Sequence, residues 1–483
     1  MYNYSNLYIS GAWVNSHSDE TIEVVNPSTE LVCGIVPAGN TDDVEDAVTA
    51  ARDAFSSWSN TAASIRSGYI RAIAERLCER QAQITKVISE EQGSPLQFSN
   101  DVQATLASLV MGSYVDKAID MERVDVLENS IDNGACSHVV KEPVGVCALI
   151  TPWNYPLHQL VTKVAPALAA GCTMVVKPPR EAPLNAFILA EIMHEVGLPK
   201  GVFNLVSGSG RLVGEALCSH PKVDMVSFTG STSAGSRISE LAAKSIKRVS
   251  LELGGKSACV VLEDADLEKA IQHTVYQNMA NSGQTCTALS RLLIPESRYE
   301  EAKGLLRKTV ETITVGRAND PSILMGPMVS ASQQQTVQSY IRIGCEEGAT
   351  LLCGGDDSPE GLVTGYYVKP TIFVDVNNSM RIAQEEVFGP VLCVIPYSGD
   401  DEAVDIANDS PFGLSGAVWS GDEDRAMMLA KRLRTGQVFI NGATFNPEAP
   451  FGGYKQSGNG RELGVEGLNE FVELKAIQRR AEV

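Results

Sequence analysis

Hydrophobic residues recur along this chain with two alternating spacings, and the alternation predicts an α/β protein. Residues 42–58 and 65–89 repeat apolar positions at helical spacing, which predicts amphipathic helices near the N-terminus. Residues 144–151 form a short apolar, β-branched segment that ends before a proline, a pattern typical of a buried strand. The N-terminal helices are therefore expected to lead into a sheet.

Helical and strand patterns then alternate between residues 144 and 253. The predicted helices are 157–170, 183–196 and 210–219, and the predicted strands are 173–177, 202–206 and 225–228. Gly171 ends the first of these helices, and Pro178 and Pro179 end the strand that follows it. Such alternation implies a parallel sheet with crossover helices, which binds ligands at the carboxyl ends of its strands.

A second alternation of the same kind runs from about residue 257 to 440. Its predicted strands are 258–262, 290–294, 391–397 and 437–440. The fold class that we expect is therefore α/β, with two Rossmann-like domains built on parallel sheets.

Composition and charge narrow the classes of function. The chain has 39 Lys and Arg residues against 59 Asp and Glu residues, a net charge of −20. This balance disfavours a nucleic-acid partner, which requires clustered basic residues. The N-terminus lacks a basic segment followed by an apolar one, and no apolar stretch reaches the ~20 residues of a membrane span. We expect a cytoplasmic protein without a membrane partner.

The 11 cysteines have no zinc or disulfide pattern, because their number is odd and no two are spaced as CxxC. Most lie among apolar neighbours, which predicts small buried side chains in a reducing compartment and no metal site. Cys286 differs, since residues 282–287 are small and polar. A thiol in such surroundings is accessible and can ionise, which makes Cys286 the candidate nucleophile.

Two further residues have chemistry that complements a thiol. Glu252 lies between two leucines and precedes a glycine pair, and an apolar environment raises the pKa of a carboxyl towards that of a general base. Asn154 lies in a proline-rich turn after a buried strand, where its amide can donate to an oxyanion. The alternatives are an outward-facing strand glutamate and an ordinary turn asparagine.

Two glycine-containing turns join strands to helices. Residues 207–214 include Gly210 and Gly214 and resemble a dinucleotide fingerprint, although the last glycine comes one residue late for GxGxxG. Residues 228–235 begin with Phe228 and place Gly230 and Ser231 before a helix, where backbone N–H groups can hold a phosphate. Each turn alone is a weak signal for a nucleotide.

Taken together and in this order, the motifs resemble those of the NAD(P)-dependent aldehyde dehydrogenases. The matching segments are TPWNYPL (151–157), MVVKP (174–178), FTGSTSAG (228–235), ELGGKS (252–257), GQTC (283–286), EEVFGPV (385–391) and PFGGYKQSG (450–458). The resemblance covers nearly the whole chain. It implies an enzyme that oxidises an aldehyde to a carboxylic acid with NAD or NADP.

The resemblance also implies roles for the candidate residues. Cys286 attacks the aldehyde carbon, and its own backbone N–H and Asn154 hold the oxyanion of the thiohemiacetal. After hydride transfer leaves a thioester, Glu252 activates the water that hydrolyses it. The cofactor residues implied by the matching motifs are Trp153, Lys177, Gly210, Gly214, Phe228, Gly230, Ser231, Leu253, Glu386 and Phe388.

One departure from the family pattern concerns the cofactor. Relatives that prefer NAD usually carry a glutamate three residues after the lysine, whereas this chain has Arg180 there. An arginine cannot accept hydrogen bonds from the adenine ribose, but it can bind a 2′-phosphate. We therefore expect NADP to be used. The alternative is that Arg180 points to solvent and Glu181 partly replaces the glutamate.

For the substrate, the resemblance points to His158, Thr162, Thr285, Thr287 and Phe445. Thr162 stands where several relatives have a large aromatic residue, so we expect a bulky aldehyde, either aromatic or a semialdehyde. The segments expected to line the tunnel contain no arginine, which disfavours short acidic semialdehydes.

The resemblance also divides the chain into domains. Residues 1–120 and 142–254 would bind the dinucleotide, and residues 255–456 would form the catalytic domain. Strands within 121–141 and 468–483 would assemble a homodimer or homotetramer.

Three other activities are compatible with the same framework. A CoA-acylating enzyme is disfavoured because such enzymes generally lack the base at Glu252. A crystallin-like binding protein is disfavoured because Cys286, Glu252 and Asn154 are all present. Esterase activity is expected only as a side reaction of the same cysteine.

Overall fold

Residues 1–132 and 135–480 are described by the computed structural model of the protein. Mainly parallel strands form two large sheets, and helices pack on both. This confirms the expected α/β class with two Rossmann-like units. Within the described ranges, no helix is both long and apolar enough to cross a membrane.

The first sheet has eight strands, and its five central strands are parallel. In spatial order the strands are Gly458–Asn459, Arg248–Glu252, Met225–Thr229, Val146–Ile150, Thr173–Lys177, Phe203–Leu205, Leu7–Ile9 and Ala12–Val14. The chain starts the parallel part at Val146–Ile150 and builds outwards in both directions. A crevice therefore opens between the carboxyl ends of Val146–Ile150 and Met225–Thr229, where such sheets bind ligands.

Helices cover both faces of this sheet and pack on one another beyond it. They are Thr41–Ser59, Ala63–Glu79, Gln81–Gln92, Thr105–Asp120, Pro156–Ala170, Leu184–Glu195, Glu215–Ser219 and Thr232–Ala243. Every residue of Pro156–Ala170 is buried, because the helix lies between the sheet and Thr105–Asp120. It ends at Gly171, whose φ of 93° favours glycine.

The second sheet has seven strands that are parallel except for one edge pair. Their order is Thr350–Cys353, Thr371–Val374, Val391–Tyr397, Arg291–Pro295, Ala258–Val261, Gly416–Trp419 and Phe439–Ile440. The helices that pack around it include Leu267–Met279, Tyr299–Val310, Ala331–Glu346, Asp400–Asn408 and Glu423–Ala430.

A third, antiparallel sheet contains Asp125–Glu128, Ala135–Pro143 and Val472–Arg480. It includes parts of the segments 121–141 and 468–483 that the sequence assigns to assembly. Residues 133, 134 and 481–483 of those segments lie outside the described residues. The assembly role and the domain limits stay predictions.

Two expected helices differ in the structure. The segment 65–89 is not one continuous helix, because the chain turns at Arg80 between Ala63–Glu79 and Gln81–Gln92. The Arg80 guanidinium bonds Glu191 at 2.6 Å and also pairs with Glu195, so a tertiary contact fixes the turn. The segment 210–219 begins with a wide turn over Gly210–Gly214 before the regular helix Glu215–Ser219.

The central strand Val146–Ile150 should be sensitive to loss of volume. Leu149 is fully buried in the core between this sheet and its helices. We expect Leu149→Ala to lower the free energy of unfolding by about 2–5 kcal/mol, because a cavity replaces the lost methyl groups. Chemical denaturation measures the change. Ile65→Ala, at a half-exposed position, is the control, and an equal loss in both variants would contradict the prediction.

Candidate active site

Two cavities meet at Cys286, between the two large sheets. The larger, of about 390 Å³, has mostly apolar walls. The smaller, of about 250 Å³, lies in the crevice of the first sheet and is lined by Trp153, Asn154, Gly230 and Ser231 among others. Cys286 lines both cavities, so its sulfur can be reached from two sides.

The loop before Cys286 has an unusual backbone that is held by buried hydrogen bonds. Asn281 and Ser282 have φ values of 52° and 60°, which side-chain-bearing residues adopt at an energetic cost. Gly283 follows with φ 72°, and a Cβ there would lie 2.2 Å from the backbone of Gly389. The Gln284 carboxamide accepts from Val329 N at 2.9 Å. This support fixes the position of the cysteine.

Asn154 is fastened to the same loop. Its Nδ2 donates to the backbone oxygen of Gln284 at 3.0 Å, and Asn281 Nδ2 donates to the backbone oxygen of Asn154 at 2.9 Å. The amide has two N–H groups, so one remains for a ligand beside Cys286. The buried Asn154 lines the smaller cavity, as expected for an oxyanion donor.

Glu252, at the carboxyl end of Arg248–Glu252, is buried on the wall of the smaller cavity. Neither carboxylate oxygen has a hydrogen-bond partner among the described residues. Burial, with the nearby carboxylate of Glu462, raises the pKa of Glu252 well above its usual value, and Lys163 offsets part of this. The strand glutamate therefore does not face solvent, and it has the character of a base.

The glycine pair after Glu252 allows two close approaches. A Cβ at Gly254 would lie 2.0 Å from Glu386 Oε2, and a Cβ at Gly255 would lie 2.6 Å from the backbone oxygen of Cys286. Gly255 N also donates to Glu386 Oε1 at 2.9 Å. Burial raises the pKa of Glu386 to about 7. The two glycines thus bring the nucleophile and a second carboxylate to the end of the strand.

The thiol of Cys286 is less acidic than its polar sequence neighbours suggest. Burial and the carboxylates of Glu252, Glu386 and Glu462 raise its pKa well above the usual value. Burial and these carboxylates therefore oppose the ionisation that the sequence predicts. The polar side chains next to Cys286 in sequence do not set its pKa, because the carboxylates that raise it come from other segments of the chain.

The smaller cavity has room for part of a nicotinamide dinucleotide. The rings of Trp153 and Phe388 meet edge to face with centroids 5.3 Å apart, and Phe388 O accepts from Gln333 Nε2 at 2.9 Å. Ser231 caps the helix Thr232–Ala243, where a phosphate can bind. Because Gly254 has no side chain, the Glu386 carboxylate fits beside it on the cavity wall.

Leu253 also lines this cavity, whereas the other expected cofactor residues lie outside it, around the first sheet. Phe228 and Leu253 are buried beside Gly230 and Gly235 respectively. Lys177 is buried, donates to the oxygen of Pro178 at 2.8 Å, and has a pKa lowered to about 8 by burial. Gly214 approaches the Lys177 side chain and Gly210 is exposed. Arg180 is exposed and has no ion pair within the described part of the chain.

The larger cavity contains most of the expected substrate residues. His158, Thr285, Thr287 and Phe445 line it, but Thr162 does not. Thr162 is buried, and its hydroxyl contacts Gln159 O at 2.9 Å and Glu462 at 3.3 Å. The expectation that a small residue there enlarges the tunnel therefore has no support in this geometry.

Several residues of the site were not found from the sequence. Glu462 forms a buried ion pair with Lys163, whose Nζ also donates to Thr229 at 2.7 Å. A lysine within an otherwise apolar helix was the available signal. The larger cavity also has walls from distant segments, among them Phe98, Val102, Leu106, His273, Gln277, Gln437 and Phe451.

Comparison with known proteins agrees with this geometry. The model of the aldehyde dehydrogenase family matches residues 13–477. The 3-succinoylsemialdehyde-pyridine dehydrogenase of a Pseudomonas species is 49% identical, with 99% of each chain covered. A putative aldehyde dehydrogenase of Staphylococcus haemolyticus is 46% identical over 99% of each chain.

Solved structures show the same relationship. A mutant of aldehyde dehydrogenase C from Pseudomonas syringae, complexed with NAD+ and octanal, superposes with a TM-score of 0.94 at 44% identity, covering 98% of this chain and 96% of that one. A Mycobacterium tuberculosis aldehyde dehydrogenase complexed with NAD+ gives a TM-score of 0.96 at 42% identity, covering 99% and 98%. The chain therefore belongs to the aldehyde dehydrogenase family, as an oxidoreductase that acts on aldehyde groups with a nicotinamide dinucleotide.

Proposed function

We propose that this enzyme oxidises a bulky, uncharged aldehyde, aromatic or a semialdehyde, to the carboxylic acid through a thioester on Cys286. The observation that carries the proposal is the position of Cys286 between an apolar cavity for the aldehyde and the cavity that fits the dinucleotide.

The first half of the reaction builds a covalent bond to sulfur. The Cys286 thiol gives up its proton to solvent and the resulting thiolate attacks the aldehyde carbon, which turns the carbonyl oxygen into an oxyanion. The free N–H of Asn154 and the backbone N–H of Cys286 hold this oxyanion, and one such donor is worth on the order of 3 kcal/mol in acyl chemistry. The bound nicotinamide supplies the hydride acceptor.

The second half opens the thioester. Glu252 takes a proton from water while the water oxygen attacks the thioester carbon, and the thiolate of Cys286 leaves. Its carboxylate suits this role because neither oxygen has a hydrogen-bond partner among the described residues and burial raises its pKa well above the usual value. A carboxylate saturated with hydrogen bonds would be a weaker base.

The cofactor proposal extends from NAD to NADP. Two solved relatives hold NAD+, which supports NAD here. Arg180 is exposed beyond the strand end at Lys177 and forms no ion pair with a carboxylate of the residues that the structure describes. The guanidinium of Arg180 can therefore bind a 2′-phosphate, so we also propose that NADP is used.

The substrate proposal rests on the larger cavity. Of the described residues that line it, none is Asp, Glu, Lys or Arg, and Phe98, Phe439, Phe445 and Phe451 contribute aromatic walls. An acidic aldehyde would leave its carboxylate without a charged partner. The Pseudomonas relative is a dehydrogenase of a pyridine-containing semialdehyde, and the P. syringae relative holds octanal. Both are compatible with an uncharged substrate.

We also propose assembly through the third sheet. Val126, Leu127, Leu474 and Ile477 are exposed apolar residues on its outer strands. Exposed strands with apolar side chains favour pairing with another chain, which supports a homodimer or homotetramer. The domain limits 1–120 with 142–254, and 255–456, are proposed on the same family grounds.

Replacing the nucleophile and the base should separate the two half-reactions. We expect Cys286→Ala to abolish aldehyde oxidation without unfolding the chain. We expect Glu252→Gln to show a burst of reduced cofactor of about one equivalent per active site, followed by turnover slowed at least ~100-fold, because acylation proceeds and hydrolysis does not. Stopped-flow absorbance of the reduced cofactor measures both. Normal turnover of Glu252→Gln would show that the base is elsewhere.

The role of Arg180 can be tested with both cofactors. We expect the wild-type enzyme to use NADP with a kcat/KM within about tenfold of that for NAD, and Arg180→Glu to lower NADP use by about tenfold or more, because a carboxylate repels the 2′-phosphate. Steady-state kinetics at fixed aldehyde measures this. Arg71→Glu, at an exposed arginine on the helix Ala63–Glu79, which carries no expected cofactor residue, is the control. A wild-type preference for NAD of tenfold or more would refute NADP use.

Cofactor binding should depend on pH through Glu386. Because its pKa is raised to about 7, the carboxylate is largely protonated at lower pH and accepts ribose hydroxyls less well. We expect the Kd of Cys286→Ala for NAD to fall about three- to tenfold between about pH 6 and pH 7.5. Fluorescence titration measures it, and adding Glu386→Gln should remove the slope. An unchanged slope would assign the titration to another group.

A further inference from the structure

The larger cavity is lined by polar side chains that form no hydrogen bond within the described part of the chain. Its aromatic walls are interrupted by two histidines, His158 and His273, which lie on helices packed against different sheets. His158 lies on the helix Pro156–Ala170, and His273 lies on the helix Leu267–Met279. Both side chains line the space that the proposed function assigns to the aldehyde.

His158 can offer only one ring nitrogen to a ligand. Its Nδ1 is buried and has no hydrogen-bond partner among the described residues. Nε2 is not in that buried state and makes no hydrogen bond of its own within the same residues, so it is the nitrogen accessible from the cavity. The ring lies edge to face against Tyr155, with centroids 6.5 Å apart, which fixes its orientation.

His273 has the same arrangement at the other wall. Its Nδ1 is buried without a partner in the described part of the chain, which leaves Nε2 for the cavity. The ring packs against Trp419 with centroids 5.4 Å apart. Gly442 keeps this contact possible, because a Cβ there would lie 3.0 Å from the Trp419 ring and 3.4 Å from His273.

Both imidazoles are neutral near pH 7. Burial lowers the pKa of His158 to about 4 and also lowers that of His273. A neutral imidazole has one N–H and one bare nitrogen, and a buried Nδ1 without an acceptor favours the form with hydrogen on Nε2. Each ring then directs an uncharged N–H donor into the cavity.

We propose that His158 and His273 are specificity residues that select uncharged aldehydes carrying a hydrogen-bond acceptor, a ketone oxygen or an aromatic ring nitrogen, beyond the reactive carbon. The inference rests on the proposed function, because it assumes that the larger cavity holds the aldehyde. Two donors on opposite helices match a substrate with acceptors along its length. A purely hydrocarbon aldehyde leaves both N–H groups unpaired when it displaces solvent, which costs binding free energy.

Other ligand classes fit the pair less well. A carboxylate requires a cation, and the described lining residues include no Lys or Arg. An ammonium group binds carboxylates, bare acceptors or aromatic faces; the cavity has aromatic rings, but no Asp or Glu is among those residues, and the two imidazole N–H donors would repel a cation. The chemistry of the wall therefore favours a neutral acceptor.

The test compares two aldehydes of the same shape. One ends in a pyridyl ketone, and the other replaces the ring nitrogen by CH and the ketone by a methylene group. We expect the wild-type enzyme to prefer the first in kcat/KM. Because a neutral hydrogen bond to a buried donor is worth about 1 kcal/mol, His158→Phe and His273→Phe should each lower this preference about fivefold, and the double variant more.

Matched variants separate recognition from folding. His17→Phe, at a half-exposed site paired with Asp46, should leave the preference unchanged. His158→Gln keeps an N–H donor and should retain part of the preference. His158→Phe removes a buried unpaired nitrogen, so its Tm should not fall, and this shows that a lost preference is not a lost fold.

Binding measurements distinguish the two possible failures. Kd values of both aldehydes are measured by calorimetry in the Cys286→Ala background, where no turnover occurs. If no aldehyde is oxidised by the wild-type enzyme, the proposed function fails, while a weaker Kd of the pyridyl ketone in the phenylalanine variants still supports the histidine donors. If both aldehydes bind equally, or the phenylalanine variants weaken both equally, the inference is overturned.

Discussion

The close approach of backbones at Gly254 and Gly255 is the constraint on which this active site depends. Each Cβ that is absent there leaves room for an atom from another part of the chain, Glu386 at one position and the backbone oxygen of Cys286 at the other. The strand that carries Glu252 belongs to the first sheet, whereas the cysteine loop and Glu386 belong with the second. Glu252, Cys286 and Glu386 can come together because positions 254 and 255 are glycines, which have no side chain.

Negative charge exceeds positive charge around Cys286. Glu252, Glu386 and Glu462 surround one thiol, and Lys163 pairs directly with Glu462. Glu386 and Glu462 raise the pKa of Glu252, and all three carboxylates raise the pKa of the cysteine, because negative charge is costly in a buried site. A positive nicotinamide ring in the adjoining cavity would favour the ionised sulfur, so the protein alone and the cofactor complex are expected to differ in reactivity.

The sequence predicted the parts of the fold that local patterns control. Central strands such as Thr173–Lys177 and Val391–Tyr397 were located to the residue, because buried parallel strands are continuous apolar segments bounded by glycine or proline. The turn at Arg80 was missed because the helices on either side share the same amphipathic pattern, and the distant Glu191 and Glu195 decide the break.

The sequence predicted those site residues that lie in motifs and missed those that do not. Cys286, Asn154 and Glu252 lie in long motifs and come together in the structure. Glu462 and His273 have no motif, since their importance arises from neighbours far along the chain, Lys163 for the glutamate and Trp419 for the histidine. Thr162 shows the opposite error: its position in the helix after the 151–157 motif suggested the cavity wall, but its hydroxyl contacts Glu462 instead.

The raised pKa of Cys286 has a consequence for the survival of the enzyme. Peroxides and alkylating compounds react with thiolates far faster than with thiols, and over-oxidation of a cysteine is irreversible. A nucleophile that stays protonated among carboxylates is protected while no cofactor is bound. The carboxylates around the sulfur thus slow the oxidation and alkylation of the nucleophile until the cofactor binds.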